Sequence, residues 1–540
     1  MSSSDAAADD ADVERCVDNS ATTPLLDATV TSSDVGIDDA PDASTTNDDD
    51  VDGKLTLGTA CASVATLGSP LALQYLSTCA SMTFQLALLS RTAGADGATH
   101  VAAFGLGNVL CSMTGHAVLW GLGSGVDTLS SQAYGAGELD AIGRVFARAV
   151  VILWTCAAAP GTLAWANARV ALEALGQEKD VAALAGRFAL LRAPSLWAQT
   201  VTCCSMKTML AMKRSKRVGV LSVVTTPFKF ALPWLFLKVF GMGTVTGAAM
   251  ALTAIDVSTM LCYLTGFLTC DEVRKALRGV RIRDAFAGWR GYLSLAVPGL
   301  AMNAIEWWSW DVNSLIAGMC ADATMELESQ TLLSNTYFVF YSIACVWQRG
   351  ASSSIGNAVG AGKLKDSRTL SLATLTLSFA CGVVCVIGFS FAADAVFAMF
   401  TDDETVARRL DALVPLVNAF ILLDHMQVSV TGVIVGAGYQ SVMTPVLVVA
   451  YWVIGLPLGA FLALGRPRLG LDGIWIALLV TAVIHLSWNL LVSFGGKCLP
   501  FAIRWRDAAE RASVKLERER SSACIEEIAT EISDSDSDSE

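Results

Sequence analysis

Long apolar runs separated by short polar loops dominate the chain. Windows of about 20 mostly apolar residues, the length that crosses a hydrocarbon core, recur twelve times. They lie near 64–90, 101–123, 142–165, 183–209, 218–239, 244–269, 292–316, 331–349, 370–393, 409–435, 442–464 and 472–494. The pattern predicts an all-α integral membrane protein of twelve transmembrane helices.

A short pattern recurs within this series. Gln132–Leu139, QAYGAGEL, returns 225 residues later as Asn357–Leu364, NAVGAGKL. Each copy follows one span and precedes another at the same place in the order. Six spans separate the copies, an even number, so the two halves cross the membrane in the same sense as parallel six-helix repeats. A central substrate cavity between the halves is the expected consequence, with alternating access by rocking. The predicted domains are a disordered acidic tail at 1–53, six-helix bundles at 54–285 and 286–496, and a tail, basic then acidic, at 497–540.

One span departs from the apolar pattern. Tyr292–Asn313, YLSLAVPGLAMNAIEWWSWDVN, carries Glu306, Asp311 and three tryptophans near its middle. An ionised carboxylate in hydrocarbon costs about 2.5 kcal/mol or more, so these acids must face water, a proton or a partner. At about 100° per residue, Asn303, Glu306, Trp310 and Asn313 share one narrow face, whereas Asp311 points about 140° away from Glu306. On the tenth span Asp424, Gln427 and Thr431 form a second stripe, and Pro415 is expected to kink the helix near the carboxylate.

The functional reading has Glu306 and Asp424, taken as one from each half, binding a proton and a cationic substrate in competition, since a carboxylate removed from water takes up a proton more readily. The structural reading has each acid hydrogen-bonded to Asn or Trp neighbours. Trp307, Trp308, Trp310 and Tyr337 offer faces to a planar organic cation or pack between helices. Lys229 and Asp256, also at membrane depth, are expected to pair. His116, His425 and His485 read as core imidazoles, with His425 placed to tune Asp424.

Composition agrees with the pattern: 53% apolar and 16% charged residues over 540 positions exclude an ordinary soluble protein. The net charge of −13 conceals a basic body, because tails of −14 (1–52) and −7 (521–540) leave +8 between them. The N-terminal tail is Ser, Thr, Asp and Ala without periodicity, too polar to order itself. No signal-peptide pattern opens the chain, so insertion is expected to use the first span. Lys and Arg gather after spans four (Met212–Arg217, MKRSKR), six (Arg274, Lys275, Arg278, Arg281, Arg283) and eight (Arg349, Lys363, Lys365, Arg368), which places both termini in the cytoplasm. The fifteen cysteines are scattered, only Cys203 and Cys204 being adjacent, so neither a metal site nor a disulfide framework is expected. Residues 504–520 are expected to lie on anionic headgroups. Ser533–Glu540, SDSDSDSE, reads as a kinase target or a solubilising tail.

Four segments then carry a resemblance. Gly121–Gly137, GLGSGVDTLSSQAYGAG, resembles the motif after the second span of multidrug and toxic compound extrusion (MATE) transporters. Tyr292–Asn313, Arg349–Gly362 (RGASSSIGNAVGAG) and Gly432–Gln440 (GVIVGAGYQ) are similar to motifs of the eukaryotic branch at the same places. The resemblance covers about residues 60–495 and implies a secondary active antiporter. It would export organic, cationic and amphipathic solutes in exchange for protons or sodium, the proton being favoured, without a cofactor. Glu306 lies at the family's seventh-span glutamate, Asp311 at a second acidic position of that helix and Asp424 at the tenth-span acid. The last two are Asp where Glu is common in animal members, so substrate size or proton affinity is expected to differ. The expected partners are small organic solutes and the lipid bilayer of a plasma or vacuolar membrane, with no nucleic acid, and the chain is expected to act as a monomer.

Asp127 is read as a brace for the Gly-rich loop, capping the helix or turn that follows. Gln132, Gly135 and Gly137, with Asn357, Gly360 and Gly362, are read as structural turns. No Lys-Ser or Lys-Thr follows either GAG, so a nucleotide-binding loop is unsupported. The alternative, a lipid or glycan flippase, needs a strongly basic cavity, and the bases at depth are few: Lys229, Arg187, Arg192 and Lys207. A membrane-embedded enzyme lacks any His-Glu-x-x-His or Gly-x-Gly-Asp on a span.

Overall fold

The computed structural model describes residues 55–92, 97–398, 404–466, 468–496 and 499–517. The tail at 1–53 and the Ser-Asp repeat Ser533–Glu540 lie outside them. Among the described residues the chain is helical with no strand, as lipid requires of a backbone that must satisfy its own hydrogen bonds.

Twelve long helical stretches follow in order among the described residues: α1 (57–92), α2 (Thr99–Gly135), α3 (Leu139–Ala166), α4 (Lys179–Ala211), α5 (Ser215–Val239), α6 (Val245–Leu268), α7 (Trp289–Ala317), α8 (Ala323–Gly360), α9 (Leu364–Phe397), α10 (Glu404–Ala437), α11 (Gln440–Leu464) and α12 (Leu471–Phe494). Eight of them, α2, α3, α5, α6 and α9 to α12, are long and apolar enough by length and composition to cross a membrane. The other four carry buried polar side chains, among them Gln85 on α1, Arg192 and Lys207 on α4, Asn313 on α7 and Glu326 on α8.

Prolines bend stretches rather than end them. Pro70 sits in a 3-10 turn, Ser69–Leu71, within α1, and π-helical turns follow Pro233 in α5 and Pro445 in α11. By contrast α10 continues as one α-helix through Pro415, so the expected kink is not marked by any break near Asp424.

Thr56–Ala512 forms one compact unit. Within it, one apolar cluster gathers residues such as Leu119, Ile152, Trp165, Phe188 and Leu196, and another gathers Leu333, Tyr337, Leu413, Phe420 and Trp475. Large apolar side chains also cover the outside, as at Phe391 (88% exposed) and Val384 (68%), which marks a surface meant for lipid. After α12, Trp505, Ala508 and Ala512 are buried and Arg511 stacks 4.3 Å over the Tyr439 ring. This basic segment therefore spends one face on protein and leaves residues such as Arg506 exposed.

The 225-residue repeat reappears as a reciprocal clasp. Thr128 Oγ1 donates to the Val435 carbonyl at 2.7 Å, and Ser353 Oγ, 225 residues on, donates to the Leu210 carbonyl at 2.7 Å. Gln132 Nε2 donates to the Gly436 carbonyl at 3.1 Å, and Asn357 Nδ2 to the Ala211 carbonyl at 3.1 Å. Each acceptor pair is also 225 residues apart. The second helix of each repeat thus donates to two carbonyls in the last turn of the other repeat's fourth helix, where carbonyls lack the regular intrahelical partner.

The glycines complete this crossing. A Cβ on Gly135 would collide with the Asn357 backbone, and one on Gly360 with the Gln132 backbone. Both turns close alike, with Glu138 N–H donating to the Ala133 carbonyl and Lys363 N–H to the Ala358 carbonyl, each at 2.9 Å. Gly137 and Gly362 supply the left-handed residue, at φ +81° and +68°. The turn reading therefore fits Gly137 and Gly362, whereas Gly135 and Gly360 are helical residues that let α2 and α8 touch. Gly135→Ala and Gly360→Ala are expected to destabilise the protein by similar amounts, about 1–3 kcal/mol each. Thermal unfolding in detergent measures this, and an effect confined to one of them would break the symmetry argument.

Candidate functional site

Asp424 is buried to 1% exposure in α10. Its Oδ2 accepts the Tyr337 hydroxyl from α8 at 2.7 Å, and its Oδ1 accepts Gln427 Nε2, one turn along, at 2.7 Å. The same Gln427 amide lies 3.4 Å from the Tyr451 hydroxyl of α11, which in turn lies 3.2 Å from His485 Nδ1 of α12. Asn489 Nδ2 closes the far side, donating to the Gln427 carbonyl at 2.9 Å and to Thr431 Oγ1 at 3.1 Å. Four helices thus fix one carboxylate through neutral donors.

Glu306 of α7 is half-buried beside this cage. It interacts with the Tyr451 side chain and lies within electrostatic reach of Asp424. Tyr337 and Tyr341 lie within the same reach of Glu306. The two acids therefore meet, but the reading of them as one from each half fails. Both α7 and α10 lie in the second set of six helices, so the acids share one half's interior.

The stripe expected on α7 is divided. Asn303 Nδ2 reaches the Ala117 carbonyl of α2 at 3.3 Å, while Asn313 is buried and donates to its own helix at the Ser309 carbonyl, 2.9 Å away. Trp310 stacks on Tyr337 at 4.8 Å between ring centroids and meets Phe420 and Trp475 edge to face. One of its faces is therefore already covered. Asp311 is half-buried and stands apart from the pair, with no charged group acting on it among the described residues.

Asp127 does something other than cap a turn. It is buried nine residues before the bend, and its Oδ2 accepts both Lys207 Nζ of α4 and Arg349 Nη1 of α8, the latter at 2.8 Å. This triad joins α2 and α4 to α8 of the second repeat. An acid near the Gly-rich end of its span suggested a cap, and only the fold brings two cations to it. Asp256 likewise pairs with Arg192 at 3.2 Å and accepts Gln199 Nε2 at 3.0 Å. Lys229 instead donates to Ser77 Oγ (2.8 Å), Thr78 Oγ1 (2.7 Å) and the Gln74 carbonyl (3.1 Å). The expected direct Lys229–Asp256 pair is therefore replaced by nearer partners for each.

Sequence reasoning missed Tyr451, Asn489 and the hydrogen-bonding role of Tyr337. Polar residues at Asn489 and His485 inside the otherwise apolar α12 were the available signal.

Comparison with known proteins agrees with this architecture. A sequence model of the MatE family matches the chain twice, at residues 70–235 and 298–461, one match in each repeat. Protein DETOXIFICATION 10 of Arabidopsis thaliana is 28% identical over 418 residues, covering 76% of this chain and 82% of that protein. Multidrug and toxin extrusion protein 1 of Homo sapiens is 26% identical over 434 residues, covering 80% and 74%. The crystal structure of the eukaryotic MATE transporter AtDTX14 superposes with a TM-score of 0.78 at 21% identity, covering 85% of this chain and 99% of that one. With the family model matching both repeats and the fold shared, the chain belongs to the MatE family and is a multi-pass membrane transporter, not an enzyme.

Proposed function

We propose that the chain is a secondary active antiporter that exports an organic, cationic, amphipathic solute in exchange for protons, by alternating access between two six-helix halves. The observation that carries this reading is that Glu306 and Asp424 converge on one polar cluster, Tyr451 serving Glu306 and lying 3.4 Å from the Gln427 amide that binds Asp424. Two carboxylates within electrostatic reach repel, and either a proton or an organic cation relieves that repulsion. The two therefore compete for one place, which is what exchange requires. In the inward-facing state the deprotonated pair holds the solute. Protonation from the outer or lumenal side then releases it.

The tyrosines support the same cycle. Tyr337 and Gln427 both donate to Asp424, and a tyrosine hydroxyl can turn to accept from the protonated acid, so the site can be neutralised without collapsing. The names of the relatives, which speak of extrusion and detoxification, favour outward transport. The basic loops favour cytoplasmic termini in a plasma or vacuolar membrane.

A flippase reading loses ground because three of the cations at depth are held by acids, Lys207 and Arg349 by Asp127 and Arg192 by Asp256, and Lys229 is held by neutral groups. The test is purified protein in proteoliposomes with an imposed pH or sodium gradient and a panel of organic cations and anions. Cation movement driven by the pH gradient and abolished by a protonophore is expected. Movement driven by sodium alone would replace the proton as coupling ion, and movement indifferent to either gradient would overturn antiport.

A further inference from the structure

Cys381 and Cys385 lie one turn apart on α9, and His425 lies on the face of α10 that meets them. Their ligand atoms, two Sγ and one imidazole nitrogen, all lie within 4.8 Å of one another. We infer that Cys381, Cys385 and His425 form a binding site for a thiophilic transition-metal ion of the Zn2+ or Cu+ type between α9 and α10.

The geometry fits such an ion. A tetrahedral ion about 2.3 Å from sulfur and about 2.1 Å from nitrogen sets those two donors about 3.6 Å apart. Cys385 Sγ and His425 Nε2 are 3.6 Å apart. His425 Nδ1 lies 3.1 Å from the Ile421 carbonyl, so a proton on Nδ1 is taken up there and Nε2 is left with its lone pair toward the thiols. This is the outer-shell contact that orients a ligating histidine.

Two further features are local to the cluster. Gly382, between the cysteines, is where α9 and α10 approach closely: an added Cβ would stand 3.2 Å from the His425 Cβ and 3.1 Å from Leu422 Cδ1. Trp347 of α8 interacts with Cys381, and its buried indole N–H has no other acceptor. That donor is suited to a thiolate sulfur rather than to a neutral thiol.

Both cysteines are free thiols, and two thiolates with one imidazole are a soft donor set that selects Zn2+ or Cu+ over Mg2+ or Ca2+. On binding, each thiol gives up its proton to the buffer. Zn2+ would keep a fourth position for water or a small ligand. An ion held there ties α9 to the residue next to Asp424, while the Asp424 side chain points elsewhere, to Tyr337 and Gln427.

The test uses the full chain purified in detergent. Zn2+ is titrated against a chromophoric chelator, and Cu+ is titrated anaerobically against a Cu+ chelator. One equivalent of at least one of these ions is expected to bind. Cys381→Ser, Cys385→Ser and His425→Gln should each weaken it at least tenfold, whereas Cys203→Ser with Cys204→Ser should leave it unchanged. Co2+ added to the unmutated protein should give a thiolate-to-metal charge-transfer band, a reading that does not depend on how the variants fold. Absence of that band together with no stoichiometric binding, or binding equal in the wild type and the Cys381→Ser/Cys385→Ser double variant, would overturn the site.

Discussion

A Glu306→Gln protein is expected to reach the membrane at the wild-type level and to lose gradient-driven transport, its rate falling at least tenfold. Glutamine keeps the volume and a hydrogen-bonding oxygen for Tyr451 but can neither hold a negative charge nor exchange a proton. A tenfold loss corresponds to about 1.4 kcal/mol, less than the interaction of a partly desolvated carboxylate with a cation. Glu306 is only half-buried and touches Tyr451 rather than an Arg or Lys, so the variant should fold normally. Asp424→Asn is a less clean experiment. Asp424 accepts hydrogen bonds on both oxygens, and an asparagine amide keeps both contacts only if the Tyr337 hydroxyl reverses to accept its N–H, so a loss of transport there could come from a rearranged site as well as from the missing charge. Asp311→Asn, about 140° around the helix from Glu306 and with no charged group acting on it among the described residues, should leave transport within about threefold. Initial rates in proteoliposomes under a fixed pH gradient decide the matter, and undiminished transport by Glu306→Gln at normal protein level would sink the mechanism.

Asp127→Asn is expected to have the largest effect on stability, about 3–5 kcal/mol, because it leaves the buried Lys207 and the half-buried Arg349 side by side with no anion between them. Lys207 is 1% exposed and Asp127 7%, so water cannot replace the lost charge at the lysine. Lys207→Met should cost much less, since Asp127 keeps its 2.8 Å contact with Arg349 and a one-to-one pair remains. The order of the two effects is the informative quantity. Thermal unfolding in detergent and the folded yield should both place Asp127→Asn below Lys207→Met. The reverse order would mean that Asp127 serves the turn and not the two cations.

The residues that could be read correctly in advance are those whose role is local or periodic. Apolar runs of span length became helices because lipid leaves the backbone no other hydrogen-bonding choice. Gly137 and Gly362 fill left-handed turn positions that glycine adopts without strain. Glu306 and Asp424 stood out because a carboxylate on an apolar helix is expensive wherever it is placed. Asp127 could not be read, since its partners lie 80 and 222 residues further along the chain. Trp310 was half read: its place on the Glu306 face follows from helical periodicity, but Tyr337 covers one side of it. Cys381, Cys385 and His425 gave no recognisable spacing, because the third ligand comes from another helix.

The sequence by itself determined the class of protein, the order of its helices and the repeat, and it singled out Glu306 and Asp424 as acids on apolar helices. Each depends on composition, periodicity or self-similarity along one chain. Only the tertiary structure decided who partners whom: that Glu306 and Asp424 meet inside one half, that Asp127 joins α2 and α4 to α8, and that the repeats cap each other's fourth helices. Such pairings depend on how helices cross. A single buried glycine or one reachable carbonyl fixes a crossing, and neither leaves a periodic trace in the chain.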